Sequence, residues 1–378
     1  MANTDPMVVG IGRSAYSRNS GRTTAGMAVE ACRKAVADAG MELADIDGMV
    51  SFAIGDSAHP LEVAQDMGLP GLRVPIEMSG GGNMVTLAVA QACAAVRTGM
   101  CKAALVFRSL NSRSGKRFGT FEGNISVGGD QQYGAPQGYL APGQWFAMYC
   151  QRYMHELGTT HEDLGRVAIT TRAHAVPNEA AILRKPLTMD DYLAARWIYE
   201  PFRLFDCALE ADGACAILVT TRERARDLAR HPVAMLDQET FMSRNPDTWS
   251  DMTRLFSAHA APPLWERTGL GPKDMDLACI YDCFTFTTVG VIEDYGFCEK
   301  GGTGDYYAGG RATYGGDCVI NPHGGLLSEA YIHGMNHHYE AVLQLRGDAG
   351  VRQVPDAQLA LVTAGTGPYG GGLIYARN

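Results

Sequence analysis

The 378-residue sequence predicts an α/β protein built from two similar halves. Three observations carry this expectation. Short apolar runs alternate with helical segments, each half closes on an apolar strand entered through glycine, and the 46% hydrophobic, 19% charged composition is that of an ordinary globular chain. Strand–helix alternation alone would also suit a doubly wound sheet. A formal net charge of -9 argues against nucleic acid and against membrane as main partners, because both call for a basic surface. Ten cysteines run from Cys32 to Cys318 without a Cys-x-x-Cys pair, so neither a zinc ribbon nor a disulfide framework is expected, and a reducing cytoplasm suits them. Residues Met1 to Val9 contain no basic segment followed by a long apolar run, so neither a secretory signal nor membrane insertion is expected.

The elements follow in order. Met7 to Ile11 reads as a strand leading into Gly12, and Thr24 as the cap of a helix carrying Met27, Ala31 and Ala35 and stopping before Gly40. Asp47 to Phe52 and Val74 to Met78 read as further strands, the second near an edge because Pro75 donates no ladder hydrogen bond. Ser79-Gly80-Gly81-Gly82-Asn83 opens an alanine-rich helix from Thr86 to Ala95, ended by Gly99, whose small residues on every side predict close packing all round it. Ala103 to Phe107 is a buried strand. From Asn111 to Leu140 the pattern dissolves into Gly, Ser, Gln and Asn, as binding loops and lids do.

Helices are expected from about Gly143 to Leu157 and Thr160 to Ala175. Then Asp212-Gly213 feeds the core strand Ala214 to Val219. A second half starts near Pro232 and ends in strands at Leu359 to Thr363 and Gly372 to Tyr375, giving halves of residues 1–230 and 231–378 with a loop and helical insertion at about 110–200 in the first.

Several motifs compete for function. Gly10-Ile-Gly-Arg-Ser-Ala15 and Gly365-Thr-Gly-Pro-Tyr-Gly370 imitate a dinucleotide fingerprint, yet neither opens a helix, so no Rossmann cofactor site is expected. His333 and His337 have the i, i+4 spacing of a zinc pair but no His-Glu-x-x-His pattern, and hydrogen-bonded histidines are the ordinary account. The glycine turn at 79–82 suits either a phosphate or a close backbone approach.

Gly10 to Arg22, Tyr281-Asp282-Cys283-Phe284-Thr285 and Gly324 to Asn336 together resemble the thiolase superfamily over almost the whole chain, and within it the lipid-transfer-protein-type steroid side-chain aldolases. The resemblance implies a thiolase-like fold, with two βαβαβαββ-type halves forming a layered αβαβα core. Asn321-Pro322 and Gly324-Gly325 match a thiolase loop, but Tyr331 stands where that family keeps a histidine, and Tyr281 where sterol-carrier-type thiolases keep another. The nucleophilic cysteine position falls at Gly82, and the second cysteine position near Gly365 or Thr366. Acyl-enzyme chemistry is therefore not expected.

What the resemblance implies instead is retro-aldol cleavage of a β-hydroxy acyl-CoA to a ketone and a shorter acyl-CoA such as propionyl-CoA, with no cofactor beyond the CoA of the substrate. That reaction needs a base for the β-hydroxyl, stabilisation of the thioester enolate and an acid for its α-carbon. Tyr331 is assigned as base and Tyr281 as acid, with the reverse kept open; His323 and His333 are candidate helpers, and the N–H groups of Gly82 and Asn83 are candidate donors to the thioester oxygen. A homodimer working with a small OB-fold partner of an enoyl-CoA hydratase is implied as well. The alternatives are a non-catalytic acyl-CoA-binding scaffold and an atypical acyltransferase using Cys283.

Overall fold

A computed structural model describes residues 2–115, 117, 131–228, 231–242 and 251–378. In the first half, β1 (Pro6–Arg13), α1 (Thr24–Ala39), β2 (Gly48–Ala53), α2 (Pro60–Met67), β3 (Val74–Ser79), α3 (Val85–Arg97), β4 (Ala103–Asn111) and β5 (Asp212–Thr221) follow one another. The long connection from β4 to β5 carries α4 (Pro142–Leu157), α5 (His161–Ala175) and a small ribbon, Trp197–Tyr199 against Phe202–Arg203. The second half repeats the sequence of elements: β6 (Val233–Met242), α6 (Ser257–Thr268), β7 (Leu277–Cys279), α7 (Thr285–Asp294), β8 (Val319–Ile320), α8 (Met335–Arg346), β9 (Leu359–Thr366) and β10 (Tyr369–Arg377).

The strands form one sheet in the order β8-β7-β9-β10-β6-β1-β5-β4-β2-β3. Read inward from its edge, each half places its strands third, second, fourth, fifth, first, with parallel pairs among the first three of these and antiparallel pairs thereafter. The halves meet through β1 and β6, by way of Met7↔Ala234 and Val8↔Val233. Helices α3 and α8 each pack on strands of both halves, so they form the middle layer. Three large apolar clusters follow among the described residues. The central one holds Val89, Val96, Val342 and Leu345 between the half-sheets, a second lies under α1 and α2, and a third lies under α4 to α7. Layers that bury apolar side chains on both faces of a sheet explain why its strands read as continuous apolar runs.

Local chemistry accounts for the element ends. Thr23, one residue before the expected cap, holds the start of α1, its Oγ1 accepting from Gly26 N at 3.0 Å; Gly40 ends it at φ 67°. Pro75 lies on β3 at the sheet edge, where its missing donor costs nothing. Helix α3 is not covered all round, since Gln91, Ala94 and Arg97 form an exposed stripe. Gly10 and Gly12 serve packing: a Cβ there would lie 2.0 and 2.1 Å from the carbonyl oxygens of Ala35 and Ala31. Gly365 to Gly370 is the closed end of the β9–β10 hairpin, with Gly365 paired to Gly370 and the chain turning at Gly367-Pro368. Of the loop expected from Asn111 to Leu140, residues 116 and 118–130 lie outside the described residues; Gln131–Gly134 and Ala135–Gln137 are short helical turns. Among the described residues no helix is long and apolar enough to cross a membrane.

Candidate active site

The site forms where the third connection of each half meets the other: the turn before α3 from one side, the loop before α8 from the other. The end of β7 supplies Tyr281, and a side-chain clamp sets its position. Asn321, at φ 53°, brackets Ile280 by accepting from its N–H at 2.8 Å and donating to its carbonyl at 3.0 Å. Tyr281 N–H then donates to Thr363 Oγ1 at 3.0 Å. Asp282 turns away and receives the N–H groups of Leu326, at 2.7 Å, and Leu327, at 3.4 Å, from the π-turn Gly325–Glu329. Gly325 has φ 57° and sits so close to that carboxylate that a Cβ would meet Oδ2 at 2.0 Å. Helix α5 and the segment after it support this loop from outside, through Arg172 Nε to Ser328 Oγ at 2.8 Å and Asn178 Nδ2 to the His323 carbonyl at 2.8 Å.

The two tyrosines are brought together. Their hydroxyls are 2.8 Å apart and share one hydrogen bond, with the rings edge to face. Tyr281 is buried and Tyr331 partly exposed, its backbone N–H anchored on Leu209 O at 3.0 Å. Protein around both hydroxyls raises their proton affinity above that of a free phenol. For Tyr281 desolvation leads and the neighbouring Tyr331 adds to it; for Tyr331 desolvation again leads.

Gly82 explains how a second tyrosine fits. A Cβ at residue 82 would lie 1.7 Å from Tyr281 Oη and 2.3 Å from its Cζ. The place of a side chain at the start of α3 is therefore filled by the Tyr281 hydroxyl. Gly82–Met84 is a 3-10 turn running into α3, in which Met84 N–H donates to the Gly81 carbonyl at 3.0 Å and Val85 N–H to that of Gly82, so that Gly82 and Asn83 stand first at the helix entrance. The glycine turn thus serves close approach.

The two candidate helper histidines separate. His333, at φ 51°, precedes α8 and packs edge to face on Tyr331, ring centroids 4.9 Å apart. Its Nδ1 accepts from Arg108 Nε at 3.1 Å and Nη2 at 2.8 Å, which leaves the ring proton on Nε2. Burial and then the Arg108 charge hold His333 well below the usual imidazole range. His323 lies deeper: its Nε2 is 3.0 Å from His337 Nδ1, and His337 packs on Tyr281 with centroids 6.4 Å apart, so His323 reaches a tyrosine only through His337. The i, i+4 pairing of His333 with His337 fails because His333 is outside the helix. Cys279, His323 and His337 instead place one ligand atom each within 4.8 Å of one another, all buried. Cys283 Sγ is 3.5 Å from Thr287 Oγ1, and burial pushes its thiol up to about 12. Thr366, near the second cysteine position, is 3.0 Å from that threonine.

Arg108 and Asp56 escaped the sequence reading. Arg108 is fully buried, ion-paired to Asp56 Oδ1 at 2.6 Å, and also donates to the Phe52 carbonyl. A signal was present: an arginine directly after five apolar residues of a buried strand requires a built partner.

Comparisons with known proteins place the chain among its relatives. The family described as thiolase C-terminal domain-like matches residues 239–373. The chain is 39% identical to a steroid side-chain-cleaving aldolase of Thermomonospora curvata, over 97% of this chain and 96% of that one. It is also 39% identical to the 17-hydroxy-3-oxo-4-pregnene-20-carboxyl-CoA lyase of Mycobacterium tuberculosis, over 99% and 100%. A solved structure named Ltp2-ChsH2(DUF35) aldolase superposes with a TM-score of 0.91 at 38% identity, covering 99% of this chain and 98% of that one. With two tyrosine hydroxyls paired over a glycine and nearly its whole length matched, the chain belongs to the thiolase-fold family of steroid side-chain-cleaving aldolases.

Proposed function

We propose that the chain cleaves a β-hydroxy acyl-CoA with a bulky, steroid-type side chain by a retro-aldol reaction, and that the hydroxyl pair Tyr281–Tyr331 carries the protons. The observation that carries the reading is the 2.8 Å contact of these hydroxyls above Gly82. The related lyase is named for a substrate whose 17-hydroxyl is β to the thioester carbonyl. For such a substrate the step balances with protons alone. The base takes the hydroxyl proton, C17 becomes a ketone, and the electrons of the C17–C20 bond pass into the thioester enolate, which is protonated at C20 to give propionyl-CoA.

Tyr331 is the better placed base, being partly exposed and in contact with His333, while Tyr281 supports its phenolate by donating a hydrogen bond. Protonation of the α-carbon falls to Tyr281. N–H groups of Gly82 and Asn83, at the start of α3, suit the enolate oxygen. The Cys283 thiol, held protonated by burial, takes no part. We extend the proposal to a cytoplasmic homodimer bound to an OB-fold partner from a hydratase; the name of the aldolase structure with its DUF35 component supports the partner.

The test is co-purification with candidate partners, followed by incubation with a β-hydroxy steroid acyl-CoA and mass spectrometry of the products. Ketone and propionyl-CoA in equal amounts are expected. Binding of the thioester without either product, across several ring systems, would leave a carrier or scaffold instead.

A further inference from the structure

We propose that Arg108 is a positioning residue for this reaction, supplying the fixed buried cation against which Tyr331 ionises, with Asp56 setting how much of that charge it feels. The inference rests on the aldolase reading and adds a means of control to it.

The geometry is a chain of contacts entering the site from beneath. Asp56 Oδ1 holds Arg108 Nη2 at 2.6 Å, the Phe52 carbonyl holds Nη1, and the guanidinium lies 5.0 Å from the Phe52 ring centroid. Two of its nitrogens converge on His333 Nδ1, and His333 lies edge to face on Tyr331. Two separate segments, β2 with the turn after it and the loop before α8, therefore fix the orientation of one side chain that has no exposure. Such a cation cannot swing to solvent, and water screens it little. The arrangement also prevents His333 from competing as a proton carrier, since its Nδ1 is committed to a group that only donates.

The charged and titratable groups facing the tyrosine pair come from every surrounding element. They are Arg108 on β4, Asp56 after β2, His337 on α8, His333 before it, Cys283 and Asp282 after β7, and Glu210, whose backbone pairs with that of Tyr331. His333 is held neutral and the Cys283 thiol is protonated. Arg108 opposes the desolvation of both phenols, and Asp56 adds to the proton affinity of Tyr331. Arginine and aspartate thus act on Tyr331 with opposite sign, as the two members of any ion pair do; the double contact of the unexposed guanidinium with His333, which lies on the Tyr331 ring, aims that effect at the base.

The experiment places a ring-fluorinated tyrosine, more acidic than tyrosine, at position 331 and follows its 19F shift against pH in the intact protein. Arg108→Gln should raise the midpoint by about one pH unit or more, and Asp56→Asn should lower it, while Arg108→Lys stays closer to the parent. The Arg108→Gln/Asp56→Asn double variant removes both charges together and keeps the fold testable if one unpaired charge does not. Its midpoint should lie between those of the two single variants. The acid limb of kcat/KM should move in the same directions. Midpoints that do not move, or that move the same way in both single variants, would overturn the proposal. The 19F titration needs no turnover, so it separates failure of this inference from failure of the aldolase reading.

Discussion

At the residue scale, the site depends on two coupled replacements whose fit is steric before it is chemical. Phe at residue 331 or 281 removes one hydroxyl of a pair and keeps the ring. Tyr331→Phe and Tyr281→Phe should each fold normally and lower kcat for cleavage by about 10²-fold or more, the usual contribution of a positioned proton carrier. A melting curve paired with single-turnover product analysis checks both halves of that statement, and near-parental turnover in both variants would remove the tyrosines from the mechanism. The coupling has its own consequence. Tyr281 is buried and held by Tyr331, so it cannot yield to a Cβ placed 1.7 Å from its hydroxyl. Gly82→Ala should cost about 1–3 kcal/mol of stability through overpacking. Gly82→Ala combined with Tyr281→His, a smaller ring without that hydroxyl, should lose less than the sum of the two single variants. Denaturant midpoints around this double-mutant cycle give the sign, and strict additivity would mean that the two positions are independent.

At the element scale, what positions Tyr281 is the loop between β8 and α8 more than β7 itself, which is three residues long. Asn321 substitutes for a neighbouring strand at Ile280, satisfying both backbone groups of a buried residue. Asn321→Ala leaves those groups unpaired, for which about 2 kcal/mol is expected. Because the next residue is Tyr281, kcat should fall further than KM changes; a loss of stability with unchanged kcat would show that Thr363 alone suffices to hold the tyrosine. This scale also shows what could be read from sequence and what could not. Asn321, Gly324, Gly325, Tyr331 and Tyr281 were visible because backbone conformation and proton chemistry restrict residue choice within short motifs. Arg108 and Asp56 were not, because their relation to His333 spans separate segments that only the fold brings together. The separation of His333 from His337 was hidden for a different reason: i, i+4 spacing means nothing until the helix start is known, and α8 begins at Met335.

At the scale of the whole molecule, two half-sheets of the same strand order enclose α3 and α8, and the functional groups lie at the entrances of those two helices. The shared order was only hinted at by the closing strands, since β7 and β8 are too short to leave a periodic signal. Enclosing α8 and the loop before it between the halves buries His323, His333 and His338, and this gives the fold a pH dependence of definite sign. His323, His333 and His338 are all held below the ordinary imidazole value of 6.5, burial being the leading cause for each; for His338 the value is about 3. The unfolded chain therefore takes up protons near pH 6.5 that the folded chain refuses. Their contribution to stability is complete above that pH and is lost as pH falls below it, for His338 through the window from 6.5 to about 3. Each such histidine adds up to about 1.4 kcal/mol per pH unit to the slope inside its window. His338→Asn, which keeps an acceptor near Tyr375 Oη where Nδ1 now lies at 2.9 Å, should flatten the slope between pH 6 and pH 4 by about that amount, whatever packing it loses at neutral pH. Denaturant unfolding at a series of pH values provides the measurement. An unchanged slope would show that His338 takes up its proton in the folded state, and that the layer between the half-sheets is open to water.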